Sequence, residues 1–168
     1  MMSMKISKIF IITIALLFGL SACTPNNNGG NNGGTKLTWH KAGNPIGEWK
    51  LVEWNNSKEL PFGVYLCLNS DNTFDIYQHT YSVLWVHYHG TFSLEDSLLR
   101  GTYSDGQEWG GTYSIEYCEE PKLIRLTRTH DSGTTDVCIY EASKVPNEVV
   151  DDATEATNVR SIVIERFL

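Results

Sequence analysis

The chain from residue 47 to residue 141 consists of short segments in which apolar and polar residues alternate, the pattern of half-buried β-strands. Clusters of turn-forming residues separate the segments, for example at residues 69–72 and 131–133. The pattern predicts eight strands, at residues 47–54, 62–68, 73–80, 83–94, 98–104, 110–117, 122–129 and 134–141. The connections are too short for the crossovers that parallel strands require, so the sheet is predicted to be antiparallel.

A triplet of glycine, threonine and an aromatic residue recurs at residues 90–92, 101–103 and 111–113. Each copy falls on a different predicted strand, and its glycine is a position at which a strongly coiled sheet can bend. A meander of about eight bent strands can close on itself, which removes its unpaired edges. The predicted fold is therefore all-β, an antiparallel up-and-down barrel of about eight strands.

The end of the chain has a different pattern. Pro146 suits the first position of a helix, and the acidic residues that follow it suit a helix N-terminus. A short C-terminal helix is therefore predicted near residues 146–157. Residues 159–167 alternate imperfectly, which is compatible with an extra edge strand or with a mobile tail.

The first 23 residues consist of a basic start, a short apolar run and a cysteine. Lys5 and Lys8 precede an apolar run over residues 9–20, which is shorter than the roughly 20 residues of a membrane-spanning helix. The run ends in Leu20-Ser21-Ala22-Cys23. This ending resembles a bacterial lipoprotein signal, and the resemblance implies removal of residues 1–22 and acylation of Cys23 with fatty acids such as palmitate.

Residues 26–34 contain only asparagine and glycine, a composition that predicts a flexible tether. The chain is thus divided into a signal peptide (1–22), a lipidated cysteine with its tether (23–46), a barrel (47–145), and a short helix with a tail (146–168). Some surface-exported lipoproteins carry acidic residues after the lipidated cysteine, whereas this chain has Thr24-Pro25-Asn26. We expect a cell-envelope protein, anchored by lipid to a bacterial membrane, the outer membrane facing the periplasm.

Charge narrows the range of partners. The formal charge is −7, and cleavage of the signal would remove Lys5 and Lys8 but no acidic residue, which takes the charge to −9. A body this acidic is not expected to bind nucleic acid or anionic lipid headgroups.

Two motifs suggest a family. Gly47-Glu48-Trp49 begins the first predicted strand, and a polar turn at residues 69–73 leads into Phe74. These motifs resemble lipocalins, and in particular the lipocalin-like (calycin) domains of Bacteroidetes lipoproteins. The resemblance covers residues 47–141 and implies that Gly47 and Trp49 close one end of the barrel. Lipocalins also carry a Thr-Asp-Tyr turn, where this chain has residues 119–121, and a basic residue near the tryptophan, for which only Lys144 is available.

Strand register predicts which side chains line the barrel. A turn centred on Tyr81-Ser82 pairs His87 with Ile76 and His89 with Phe74, and places Trp85 on the same face. A turn at residues 131–133 pairs Arg128 with Asp136, Leu126 with Cys138 and Ile124 with Tyr140. The candidate lining, and hence the candidate ligand-binding residues, are Phe74, Ile76, Trp85, His87, His89, Tyr113, Leu126 and Tyr140.

The chemistry-bearing residues give little support for catalysis. His87 and His89 have a spacing that can chelate a metal, but this register adds no third ligand and turns Asp75 to the opposite face, so no metal site is predicted. The chain has no Gly-x-Ser-x-Gly elbow and no glycine-rich phosphate loop. No enzyme activity, catalytic residue or cofactor is expected.

Three cysteines lie in the barrel region, Cys67, Cys118 and Cys138. The predicted strand order lets only Cys67 and Cys118 meet, across the interior, and leaves open whether they pair. The expected function is the binding of a small apolar or amphipathic molecule inside the barrel. The alternative is a filled barrel that docks an envelope protein, or inhibits a hydrolase, through its loops or acidic outer surface.

Overall fold

The structure is a computed structural model that describes residues 36–80, 83–156 and 165–168. The predicted signal peptide, Cys23 and the Asn/Gly tether lie outside the described residues, as does most of the segment at 159–167. No helix among the described residues is long and apolar enough to cross a membrane.

Eight antiparallel strands form a closed barrel, which confirms the predicted fold class. The strands are β1 (Gly47–Trp54), β2 (Gly63–Leu68), β3 (Thr73–His79), β4 (Val86–Glu95), β5 (Leu98–Tyr103), β6 (Tyr113–Cys118), β7 (Leu123–Thr129) and β8 (Thr135–Ala142). Each strand pairs with its neighbours in sequence, and β1 also pairs with β8, so no edge is left open. This closed eight-stranded meander is compatible with the lipocalin-like resemblance.

Two short elements follow the barrel. The helix α1 (Asn147–Asp152) is shorter than predicted and begins after Pro146. The two-residue strand β9 (Thr154–Glu155) runs parallel to the start of β4, where Glu155 pairs with His87. The sequence pattern did not predict β9, because two residues are too few to show a periodicity.

The predicted register of β7 and β8 is confirmed. Arg128 pairs with Asp136, Leu126 with Cys138 and Ile124 with Tyr140. Leu126, Cys138 and Tyr140 are fully or almost fully buried, so this face points into the barrel.

The predicted register of β3 and β4 is wrong by one residue. Ile76 pairs with Tyr88 rather than with His87, and Phe74 pairs with Gly90 rather than with His89. Because side chains alternate across a strand, this shift moves a whole set of side chains to the other face. The observed register buries Val86, Tyr88 and Phe92, which removes more apolar surface from water than burying the two histidines would.

In the observed register, three of the candidate lining residues lie outside the barrel interior. Trp85 is half-buried and packs its ring against Tyr65 and His79, on the outer side of the sheet. His87 is half-buried on the same side, and His89 is exposed. These three residues therefore do not line the interior. The other five lining candidates do, since they belong to the buried core: Phe74, Ile76, Tyr113, Leu126 and Tyr140.

Two glycines of the repeated triplet allow close packing. A Cβ atom at Gly90 would lie 2.1 Å from the carbonyl oxygen of Thr102 on β5. A Cβ atom at Gly101 would lie 2.0 Å from the ring of Trp109, which packs edge-on against Phe74 inside the barrel. These two copies of the triplet therefore have an architectural role, whereas Gly111 of the third copy lies before β6.

Trp49 is buried near the end of the barrel at which β1 begins. This side chain is 1 % exposed, and its indole N–H donates a hydrogen bond of 2.7 Å to the carbonyl oxygen of Pro45. The ammonium group of Lys122 lies 5.6 Å from the centre of the ring, so Lys122 is a basic residue beside the tryptophan. The chain ahead of Gly47 also contacts the barrel, since His40 pairs with Tyr117 through the backbone.

Cys67, Cys118 and Cys138 are buried and free, so the structure shows no disulfide among them. Cys67 lies between Glu48 and Asp75 in the sheet, on the face opposite the buried Leu66 and Leu68. It therefore does not point across the interior toward Cys118. Burial raises the pKa of Cys67 and that of Cys138 to about 12, which makes both thiols poor nucleophiles.

Candidate functional site

The barrel end opposite Trp49 is the candidate binding site. Here β1, β3, β5 and β7 end, while β2, β4, β6 and β8 begin, as the antiparallel pairing requires. The side chains at this mouth are both aromatic and polar: Trp54, Phe62, Gln78, Tyr103, Tyr113, Arg128 and Asp136. This mixture of an apolar wall and a few polar groups is typical of small-molecule sites.

The C-terminal segment Glu165 to Leu168 lies in the mouth. Gln78, which is fully buried, donates a 2.8 Å hydrogen bond to the Glu165 carbonyl and accepts a 3.0 Å bond from the Phe167 amide. The hydroxyl of Tyr103 donates a 2.9 Å bond to the carbonyl oxygen of Leu168. Leu168 is 4 % exposed and belongs to the core, so the chain's own last residues fill part of the barrel.

Charge and aromatic contacts also hold this segment. Arg166 forms an ion pair with Asp105, and its guanidinium lies 4.2 Å from the centre of the Tyr103 ring. Phe167 packs against Phe62 and Trp54, with ring centres 5.8 and 6.3 Å apart. The segment is therefore anchored on opposite sides of the mouth.

Two cavities adjoin the segment. The first has a volume of about 490 Å³ and lies between the aromatic pair Trp54 and Phe62, the inner residues Tyr113 and Cys138, and Arg128. The second has a volume of about 480 Å³ and extends from Tyr103 to His87, His89 and Glu155 on the outer side. Both are lined by Gly110, Glu165, Arg166 and Leu168, so the C-terminal segment forms a wall of each.

Arg128 is one of the charged residues that line the first cavity. Its guanidinium donates a 2.7 Å hydrogen bond to Asp136, whose other partners are His130 and Asn55. This hydrogen bond lowers the pKa of Asp136 to about 2. The charge of Arg128 is thus balanced, but its Nε–H is buried and has no partner among the described residues.

A cluster of ionisable side chains lies on the outer face of β3, β4 and β9. Asp75 and Glu155 each hydrogen-bond one ring nitrogen of His87, Asp75 to Nε2 at 2.9 Å and Glu155 to Nδ1 at 2.6 Å. The Nδ1 atom of His89 lies 3.7 Å from the other carboxylate oxygen of Glu155. Tyr77 stacks on the His87 ring at 4.6 Å, which fixes its plane.

The two carboxylates raise the pKa of His87. Burial lowers the pKa of His87, but its hydrogen bonds to Asp75 and Glu155 outweigh burial and raise the pKa above its usual value. The same hydrogen bond, from His87, is the main reason that the pKa of Asp75 is lowered. In the absence of another cation, this arrangement favours a positively charged imidazolium between two carboxylates.

Sequence reasoning noted both histidines but not their neighbours. The histidine spacing was the available signal, and the one-residue error in register concealed that Asp75 shares their face. Glu155 could not be identified, because only the tertiary fold brings β9 beside β4. The C-terminal segment was likewise missed as part of the mouth, since Gln78 and Glu165 are 87 residues apart.

Comparisons with known proteins do not identify a family. No protein-family model matches the chain, and no curated protein matches its sequence.

Proposed function

We propose that this protein is a membrane-anchored lipoprotein of the cell envelope whose lipocalin-like barrel binds a small apolar or amphipathic molecule at its open end. The observation that carries the proposal is the cavity of about 490 Å³ beside Arg128. Its volume lies within the range of about 300–1,000 Å³ that is usual for small-molecule sites.

The cavity wall supports an amphipathic ligand. Trp54 and Phe62 offer aromatic surface at the entrance, with their ring centres 5.6 Å apart. Arg128 lines the same cavity with a side chain that is 22 % exposed, so its guanidinium offers N–H donors beside Asp136. A molecule with an apolar body and one acceptor group, such as a carboxylate or sulfonate, would satisfy both.

A filled barrel that acts through protein contacts is the second candidate function. The interior between Trp49 and Gln78 is occupied by buried side chains, and Leu168 closes part of the mouth. The loop between β3 and β4 presents Val83, which is 97 % exposed, and Leu84, which is 60 % exposed. Exposed apolar residues on a loop are a feature of protein docking sites.

Binding of a fluorescent amphipathic probe distinguishes a ligand-binding barrel from a filled one. We expect 8-anilinonaphthalene-1-sulfonate to bind saturably to the full-length chain, and Phe62→Ser to weaken its affinity about 10-fold, because the apolar wall is lost. The matched control is Leu98→Ser, since Leu98 is 38 % exposed at the start of β5, at the opposite end of the barrel. Absence of saturable binding, or equal weakening by both substitutions, would contradict binding at the mouth and favour the filled barrel.

The proposed anchor has its own test. The ending Leu20-Ser21-Ala22-Cys23 motivates lipidation at Cys23. We expect labelled palmitate to be incorporated into the wild-type protein and to be absent from Cys23→Ser, while Cys67→Ser remains labelled because its buried thiol is not a lipidation site. Undiminished labelling of Cys23→Ser in cells would rule out this anchor.

A further inference from the structure

We propose that the outer face of the barrel binds a divalent transition-metal ion, best matched by Zn²⁺, through His87, His89 and Glu155. The three side chains come from two strands, β4 and β9, whose parallel pairing sets Glu155 directly beside His87. This site is separate from the proposed ligand cavity at the mouth, and its test does not depend on that proposal.

The distances suit a metal site before ion binding. One ligand atom from each of the three residues can be chosen so that all lie within 4.8 Å of one another. Zinc held about 2.1 Å from each of its ligands in a tetrahedron separates those ligands by about 3.4 Å. The required movements are therefore small: His87 Nδ1 and Glu155, now 2.6 Å apart, must separate slightly, and the exposed ring of His89 can adjust its position.

The surroundings of His87 resemble the outer shell of a metal site. Coordination through Nδ1 leaves Nε2–H to donate to Asp75, which lies 2.9 Å away. Asp75 is itself held by the side-chain amide of Asn69 at 3.1 Å. A carboxylate behind a ligating histidine fixes the ring and its tautomer, and raises the basicity of the ligand nitrogen. The stacking of Tyr77 on the ring adds a second restraint.

The type of ligand favours Zn²⁺ over Ca²⁺ and Mg²⁺. Two imidazole nitrogens and one carboxylate are typical ligands of Zn²⁺, whereas Ca²⁺ and Mg²⁺ prefer sets of oxygen ligands. The negative charges of Glu155 and Asp75 would balance a dication.

Three protein ligands leave one tetrahedral position open. His87, His89 and Glu155 all line the cavity of about 480 Å³ on this side of the barrel. The fourth position can therefore be occupied by water or by a donor atom of a molecule in that cavity.

The experiment is titration of the purified, chelator-treated full-length chain with zinc chloride, followed by isothermal calorimetry. We expect one equivalent of Zn²⁺ to bind, and His89→Gln and Glu155→Gln each to weaken the affinity at least 100-fold. Asp75→Asn should weaken it about 10- to 100-fold, as loss of a carboxylate behind a ligand does. His40→Gln is the matched control and should leave the affinity unchanged, since His40 is exposed and outside the cluster.

Two further measurements test whether the variant remains folded and whether the bound ion has tetrahedral coordination. Thermal melts without metal should show that His89→Gln, which changes an exposed side chain, leaves the fold intact. Co²⁺ bound in place of Zn²⁺ should give the visible absorption of a tetrahedral site, and this absorption should be lost in His89→Gln. An affinity that is unchanged in both His89→Gln and Glu155→Gln, or no binding by the wild-type chain, would show that the cluster is only an ion-pair network and overturn the proposal.

Discussion

Replacing Trp49 with alanine should lower the free energy of unfolding by about 3–5 kcal/mol. The indole is 1 % exposed and belongs to the buried core, so its removal leaves a cavity that the surrounding strands cannot fill. The substitution also leaves the carbonyl oxygen of Pro45 without its 2.7 Å hydrogen bond. Urea unfolding followed by far-ultraviolet circular dichroism measures the effect without relying on tryptophan emission.

Trp85→Ala is the control for this prediction. Trp85 is half-buried on the outer face and packs its ring against only Tyr65 and His79 among the ring contacts described. Its loss should therefore destabilise the barrel by about 1–2 kcal/mol, since less apolar area is exposed and no closed cavity forms. Equal losses for the two variants would contradict the central role of Trp49 and the outward position of Trp85.

The two hairpins show why one register could be predicted and the other could not. Between β7 and β8, the turn at residues 131–133 is short, and Arg128 opposite Asp136 favours a single alignment. Between β3 and β4, neither face of β4 is plainly polar, because Trp85 alternates with Val86 and His87 with Tyr88. When both faces carry large side chains, hydrophobic alternation does not distinguish two registers that differ by one residue.

The sequence predicted the closed barrel better than its candidate sites. Strand periodicity and short turns are local, and eight antiparallel strands follow from them. Both candidate sites depend on contacts between distant parts of the chain. Glu155 reaches His87 across 68 residues, and Phe167 reaches Gln78 across 89. No spacing in the sequence encodes such contacts.

Replacing Gln78 with leucine should release the C-terminal segment from the mouth and lower the free energy of unfolding by about 1–3 kcal/mol. Leucine fits an interior position but can neither donate to the Glu165 carbonyl and the Thr80 hydroxyl nor accept from the Phe167 amide, so three hydrogen bonds are lost. Because 1.4 kcal/mol is a factor of ten in an equilibrium constant, the Phe167 amide should exchange with deuterium about 5- to 150-fold faster. Hydrogen–deuterium exchange with mass spectrometry of the C-terminal peptide measures this rate.

Gln107→Leu is the matched control for Gln78→Leu, because Gln107 is an exposed glutamine on the loop after β5. Gln107→Leu should change neither the free energy of unfolding nor the deuterium exchange rate of the C-terminal peptide. Release of the segment should also join the two cavities that share Glu165, Arg166 and Leu168 as a wall, and so change the affinity of the mouth for the sulfonate probe. If Gln78→Leu leaves the exchange of Phe167 at the wild-type rate, Gln78 does not hold the segment, and its other contacts, such as the ion pair of Arg166 with Asp105, suffice to anchor it.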